Sequence, residues 1–581
     1  MVESQYNRLT RCTMRKLIIL IIIICASFLV GILTPKHYIS AIFEYLGYYL
    51  IIVPFFLWVV YLFKIYLKKI KDIFLKHYPG FLLSVILMAI IFCIAPPKFK
   101  VLSDETNLIG VSMAMYQSKK ASLPLKGFNI EYKKPEYNSI IDKRPLLFPL
   151  MVSFVHSVRG YSASNGFIVN FFAGVGVLFI FYLFICNHFS RIYGFLSILM
   201  FASLPGFVIW ATSSGFETLN LFFIIMSIFL FDKVITDRSI QHIELLFLTL
   251  VLVSQCRYES VIFTSAILFL APMLWKKESI AEFSYITFIV PILFIPVIWL
   301  PRLYADLPDI NRVGESLVQV PSLYDAFSLT NLLNNTRQNL IAFLGLDPFL
   351  GFSPVISILS IGGIFLLIKK LISGYASANN EFKTKCFFGF LTFCLLYLIQ
   401  FSFYRGDLTI FTQNRFATVY FPYILFPAVF FVYSILSKTS ENKEMLAVFF
   451  FIFHLLFYWP YGSQQRFVNI GSLPYEYSRT LSFLKENYNN NTQLLIIAER
   501  PNLYIIHYQG AVDFSFANQH ADKINSSYSK EFDHILVLQK FDYKTQSPLR
   551  WNRLDASYRL NELAKIKLTQ ATYLRVSEII D

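Results

Sequence analysis

Charge is scarce in this 581-residue chain. Asp, Glu, Lys and Arg make up 15% of it, against about a quarter in an average soluble domain. Cysteine is sparse too. The seven present (12, 25, 93, 186, 256, 386 and 394) form no Cys-x-x-Cys pair and fall in or near apolar stretches. A disulfide framework or a zinc site is therefore not expected. No glycine-rich loop is present to cradle phosphates, so no nucleotide is expected. Internal repeats with periods of about 20–50 residues and low-complexity segments are absent as well, which excludes a solenoid.

What fills the chain is hydrocarbon: 56% of residues are hydrophobic, 62 are Phe, and the mean hydropathy is +0.55. Apolar runs long enough to cross roughly 30 Å of lipid recur along it. The predicted fold class is an α-helical polytopic membrane protein with about thirteen transmembrane helices. The spans are expected near 17–33, 40–63, 81–97, 163–186, 192–209, 218–231, 242–255, 260–275, 280–300, 348–368, 386–403, 416–436 and 445–460. Pro291 and Pro296 should kink or break the ninth. The first span follows Arg8, Arg11, Arg15 and Lys16 without a small-residue cleavage site, and reads as a retained anchor.

The formal net charge of +15 does not point to nucleic acid. Lys64, Lys68, Lys69, Lys71 and Lys76 occupy one loop, and Arg191, Lys233, Arg238, Lys276, Lys277, Lys369, Lys370, Lys383, Lys385, Lys438 and Lys443 fall in loops on the same side of the predicted spans. That pattern puts the N-terminus in the cytoplasm and leaves membrane lipids as the partner of the charge. The opposite, outer face then receives 98–162, the turns near 210–217 and 256–259, the loop 301–347 and the segment 404–415. The tail changes character, with a helical stretch at Tyr475–Asn489 and β-type runs at Gln493–Ala498, Tyr504–Tyr508 and His534–Leu538. The expected organisation is 1–80 as N-terminal helices with a basic cytoplasmic loop, 81–460 as the catalytic membrane domain, and 461–581 as a small extracytoplasmic α/β domain.

Polar clusters gather on the outer face. Asp104 and Glu105 follow Ser103, which should cap a helix running through Asn107–Gln117. Acids in a first helical turn are also favoured by the helix dipole alone. Lys143 and Arg144 precede Pro145, suited to a lipid-linked phosphate or to headgroup contact. Glu217 stands at the mouth of the sixth span, where an acid so near hydrocarbon implies a cavity or a partner. Arg257 and Glu259 share a short turn and could pair with each other. Arg405 and Arg415 bracket a late outer turn, open to ligand binding or to interface anchoring.

The order of these motifs resembles the GT-C glycosyltransferases: Asp104-Glu105 after an early span, Lys143-Arg144-Pro145-Leu146, the outer acid Glu217, the Arg257-Tyr258-Glu259 turn, and Arg415-Phe416 with Pro422. Within that superfamily the likeness is to the branch of protein O-mannosyltransferases and bacterial aminoarabinose transferases, over roughly residues 81–460. Two spans ahead of the acidic pair, and Lys-Arg-Pro in place of Lys-Pro or Pro-Pro, depart from the pattern. The resemblance implies transfer of a sugar from a polyprenyl-phosphate donor to a lipid, glycan or protein hydroxyl, with inversion. The Phe-, Ile- and Lys-rich composition suits a bacterial source, which would put the site in the periplasm at the inner membrane, whereas in a eukaryote it would face the endoplasmic reticulum lumen. The resemblance makes Asp104 the general base and gives Glu105 and Glu217 orienting roles. Lys143, Arg144 and Arg257 would bind the donor phosphate, and Glu259, Arg405 and Arg415 would contact substrate. Asp104, Glu105 and Glu217 could converge on a divalent ion, but no Asp-x-Asp motif is present and no cofactor is expected. Competing readings are an O-antigen ligase or polymerase and a lipid or saccharide transporter. The former does not explain the early acids, and the latter's usual internal symmetry is missing.

Overall fold

The computed structural model describes residues 2–128, 136–142, 144–257, 259–274, 283–304, 327–373, 380–437, 441–464, 472–489, 492–508, 510–526, 528–549, 552–554 and 558–580. Ten helices fill the first half: α1 (Val2–Leu33), α2 (Lys36–Ile94), α3 (Leu102–Ser118), α4 (Leu147–Arg159), α5 (Asn165–His188), α6 (Arg191–Ala202), α7 (Pro205–Ala211), α8 (Glu217–Asp237), α9 (Ile240–Ser254) and α10 (Ser260–Leu274). Among the described residues nine helices are long and apolar enough to cross a membrane, or ten if α6 and α7, bent by 72° at their junction, make one broken span. The expected thirteen is higher for two reasons. α2 holds two expected spans in one helix, and α9 and α10 are short. The ninth span does break, at Phe294 between Tyr285–Leu293 and Ile295–Tyr304, next to Pro291 and Pro296.

The basic stretch after the second span is not the loop that its charge suggested. Helix continues unbroken through Lys64–Tyr78, because that segment holds neither glycine nor proline until Pro79. Contacts nevertheless divide α2 into two legs. Gly47 lies against Ala121 and Leu146, Trp58 donates to Thr249 at 2.9 Å, and Tyr61 donates to Glu244. Thus the first leg runs antiparallel to α9. Further on, His77 meets Tyr182 at 3.4 Å and Met88 packs on Gly174, so the second leg returns along α5. Both ends of α2 therefore lie at the end of the bundle where α3 begins.

Burial separates inner from outer helices. The apolar window of α8 is 78% buried and that of α1 only 17%, so α8 is a core element and α1 faces lipid. Trp210, Tyr182, Phe201 and Phe231 are among the largest fully enclosed side chains.

A seven-stranded sheet sits on the bundle: β1 (Ser122–Phe128), β2 (Glu136–Ile141), β3 (Leu494–Ala498), β4 (Gly510–Val512), β5 (His534–Asp542), β6 (Arg559–Lys567) and β7 (Thr572–Ile580), ordered β2-β1-β4-β3-β5-β7-β6. β3 runs parallel to β4 and β5, and the other pairs are antiparallel. The early hairpin β1–β2 thus joins the sheet of the tail, through Gly127 and Phe128 opposite Ala511 and Gly510. The expected strand at Tyr504–Tyr508 is instead a turn. Leu503 through Ile506 are buried together, with Ile506 beside Gly110 of α3, and this packing overrides their β-propensity.

Gly127 has φ of +136°, and a Cβ there would stand 2.0 Å from the Glu136 carbonyl oxygen. Gly127→Ala is expected to cost about 1–3 kcal/mol through backbone strain and to expose the hairpin to protease. Thermal unfolding and limited proteolysis check this, and an unchanged midpoint contradicts it.

Candidate active site

The site is assembled where five chain segments meet. α3 opens at Val101, and Ser103 does not cap it: no side chain bonds its first turn from the cap position. Glu105 reaches back instead. Its Oε1 accepts from the backbone N–H of Val101 at 2.8 Å and of Lys100 at 2.9 Å, in the manner of the return bond of a capping box. Its Oε2 accepts from Ser214 N at 2.8 Å, in the turn that leads into α8. Glu105 is 2% exposed, so one carboxylate rivets the start of α3 to the start of α8.

Lys100, 5% exposed, runs alongside, donating from Nζ to the Ile209 carbonyl and to Thr212 Oγ1 at 2.5 Å. Burial lowers its pKa from the ordinary lysine value, opposed by the charges of Glu105 and Glu217. Burial, reinforced by Glu217, raises the Glu105 carboxyl above the usual range, while the three backbone donors pull it down.

Asp104 faces the other way. Arg144 donates to its Oδ1 from Nε at 2.9 Å and from the adjacent guanidinium nitrogen, and Arg415 donates to its Oδ2. Burial alone would raise this carboxyl, but Arg415 and Arg144 outweigh it and hold Asp104 well below the carboxylate range. Asp104 is therefore ionised across the physiological range. Arg144 also bonds Asp142 Oδ1 at 2.7 Å and the Ser103 carbonyl at 3.0 Å. Leu147 N donates to the Gln255 carbonyl at 3.1 Å, which brings this stretch beside the turn after α9.

That turn supplies Arg257, 3.2 Å from Glu217 Oε1 and 3.1 Å from Glu259 Oε2. Its guanidinium lies 4.7 Å from the ring centres of both Phe216 and Phe416. Arg415 joins the two halves, since it stands 3.6 Å from Glu217 while holding Asp104. Asn414 fixes the backbone before it, donating to the Leu350 and Leu408 carbonyls at 2.6 and 3.2 Å.

Asp104, Glu105, Arg144, Glu217, Arg257, Glu259 and Arg415 are thus brought together. Arg405 is not: it is exposed, with its guanidinium 5.2 Å over the Tyr404 ring. Lys143 lies outside the described residues. Lys100 and Asp142 were not assigned roles from sequence. A lysine just beyond a span reads as snorkelling, and only folding buries it. Among the described residues no group of three or more His, Cys, Asp or Glu side chains is arranged to hold a metal.

No protein-family model matches the chain, and no curated protein matches its sequence. In structure it is similar to ArnT from Cupriavidus metallidurans in the apo state, at 8% identity and a TM-score of 0.49, over 85% of this chain and 97% of that one. It is also similar to the Archaeoglobus fulgidus oligosaccharyltransferase (10% identity, TM-score 0.43, 78% of this chain and 67% of that one). A third similar structure is the arabinofuranosyltransferase AftD from Mycobacteria (12% identity, TM-score 0.38, 87% and 40%).

Glu105→Gln replaces one of the two accepting oxygens with an amide nitrogen aimed at backbone donors. The expected loss is about 1–3 kcal/mol, read as a lower unfolding midpoint in detergent; a midpoint equal to wild type contradicts the rivet.

Proposed function

We propose that the chain is an integral membrane glycosyltransferase of the GT-C type that moves a sugar from a polyprenyl-phosphate donor to an acceptor hydroxyl. The observation that carries this reading is Asp104 held between Arg144 and Arg415 at the mouth of the bundle, with Glu217 and Arg257 alongside. One carboxylate and several fixed cations at a membrane surface match the demands of this reaction. The acceptor oxygen attacks the anomeric carbon and the bond from that carbon to the phosphate oxygen breaks. The proton passes to Asp104, and the lipid phosphate leaves carrying the bonding pair.

A carboxylate held by two guanidiniums is a poor base, and the donor itself supplies the remedy. Side-chain exposure is 15% for Arg415, 6% for Arg144 and 3% for Arg257. Arg415 is therefore assigned to the incoming phosphate, Arg144 to keeping Asp104 in place, and Arg257, enclosed by two phenyl rings, to holding Glu217 and Glu259. Moving Arg415 from Asp104 to phosphate raises the basicity of Asp104 only when a donor is bound. Glu105 serves as scaffold. An acceptor of lipid, glycan or protein type remains compatible with the site, as does Lys143 as an added phosphate contact.

The test uses the purified chain in proteoliposomes with a panel of polyprenyl-phosphate sugars. Asp104→Asn is expected to lower transfer by about 10²–10⁴-fold while donor binding and monodispersity persist; near-normal transfer removes Asp104 as base. Arg415→Ala should raise KM for the donor more than it lowers kcat, and Arg405→Ala should leave both near wild type. Wild-type inactivity across the whole panel, in protein that is folded and monodisperse, counts against the glycosyltransferase reading itself.

A further inference from the structure

The helix Leu329–Phe343 inverts the usual arrangement of an amphipathic helix on a protein. Its polar side faces inward. Asn335 Nδ2 donates to the Phe401 and Phe403 carbonyls at 2.7 and 2.8 Å, and Asn339 clasps Gly406 O at 2.8 Å and Leu408 N at 2.7 Å. Thr336 and Tyr397 share a hydrogen bond of 2.6 Å. Its leucines face out: Leu329 is 71% exposed, Leu333 65% and Leu340 52%, with Leu344 just beyond the helix at 38%.

At 3.6 residues per turn these four leucines fall within about 60° of arc. Thr330, Asn334, Arg337 and Gln338, all exposed, take the next sector round, with Ile341, 41% exposed, the one apolar residue among them. The helix thus has three faces: one bonded to protein, one apolar, one polar. A helix fully in water has no use for the second, and a membrane span would not carry the third. A boundary between oil and water suits both.

The apolar stripe also continues a lipid-facing belt. The helix packs on the span Asn380–Ser402, whose outward residues include Phe390 at 68% and Leu398 at 48% exposure. We infer that Leu329–Phe343 lies in the membrane interface on the side of the carboxylate–arginine cluster, with its leucine stripe sunk among the acyl chains of that leaflet. The occupant of the stripe is bilayer lipid. Through Asn335 and Asn339 the helix holds the backbone of 401–408, and Asn414 ties Leu408 to the residue before Arg415. The bilayer surface thereby braces the segment that carries Arg415. This inference needs only that the chain spans a membrane, not that it transfers sugar.

Single cysteines at 333, 340, 338 and 361, in a background with the native cysteines replaced, are spin-labelled in nanodiscs. Accessibility to oxygen and to a water-soluble nickel chelate is then measured. Ile361 is an exposed residue on the span Pro354–Ser373 and serves as the lipid reference. All four positions are exposed, so the substitutions leave the core intact. The expected result is an oxygen-to-nickel ratio at 333 and 340 matching that at 361 and severalfold above that at 338. Nickel access at 333 and 340 equal to that at 338 would overturn the inference in favour of water. Protection of both positions from both reagents would overturn it in favour of a second copy or a protein partner.

Discussion

The arrangement rests on one buried carboxylate. Glu105 accepts three backbone hydrogen bonds from two distant stretches of chain and so ties the first turn of α3 to the turn before α8. A backbone N–H shut away from water costs free energy if left unpaired, so these three donors need an acceptor at that point. Supplying it from Glu105 leaves the adjacent Asp104 on a different face of the helix turn, free to meet Arg144 and Arg415. The two neighbouring acids are thereby given opposite environments: one closed in by backbone, the other bracketed by guanidiniums.

From that division follows the logic of the site. The three arginines are each engaged by carboxylates, and the most exposed of them spans both halves of the cluster. Under the proposed function, a donor phosphate arriving at such a cluster would compete for a cation already in use, so binding of donor and readiness of the base would become one event. Coupling of this kind also disfavours idle proton transfer in an empty site, because Asp104 is a weak base while Arg415 remains on it.

Much of this was legible in the sequence because hydrophobic length and lysine placement are strong, local signals. Apolar runs locate most of the long helices, and the charge pattern groups Asp104, Arg144, Glu217, Arg257 and Arg415 on one face, where the fold brings them together. The misreadings have two causes, charge or cap chemistry read too literally at close range and partners far along the chain. The Lys64–Tyr78 stretch looked like a loop from its charge, yet nothing in it breaks a helix. Ser103 had the right chemistry for a cap, but Glu105 took the donors. The hairpin β1–β2 lacked any local sign that its edge would pair with Gly510 and Ala511, almost four hundred residues away. Lys100 carried no signal at all, since only the folded packing of Ile209 and Thr212 explains a buried ammonium there.

The most direct test of the account is a structure of the chain in nanodiscs with a polyprenyl phosphate bound. The account predicts a phosphate oxygen within hydrogen-bonding distance of the Arg415 guanidinium, Arg415 withdrawn from Asp104, and the Asp104–Arg144 pair and the three Glu105 bonds intact. A phosphate bound elsewhere, with Arg415 still on Asp104, would contradict it.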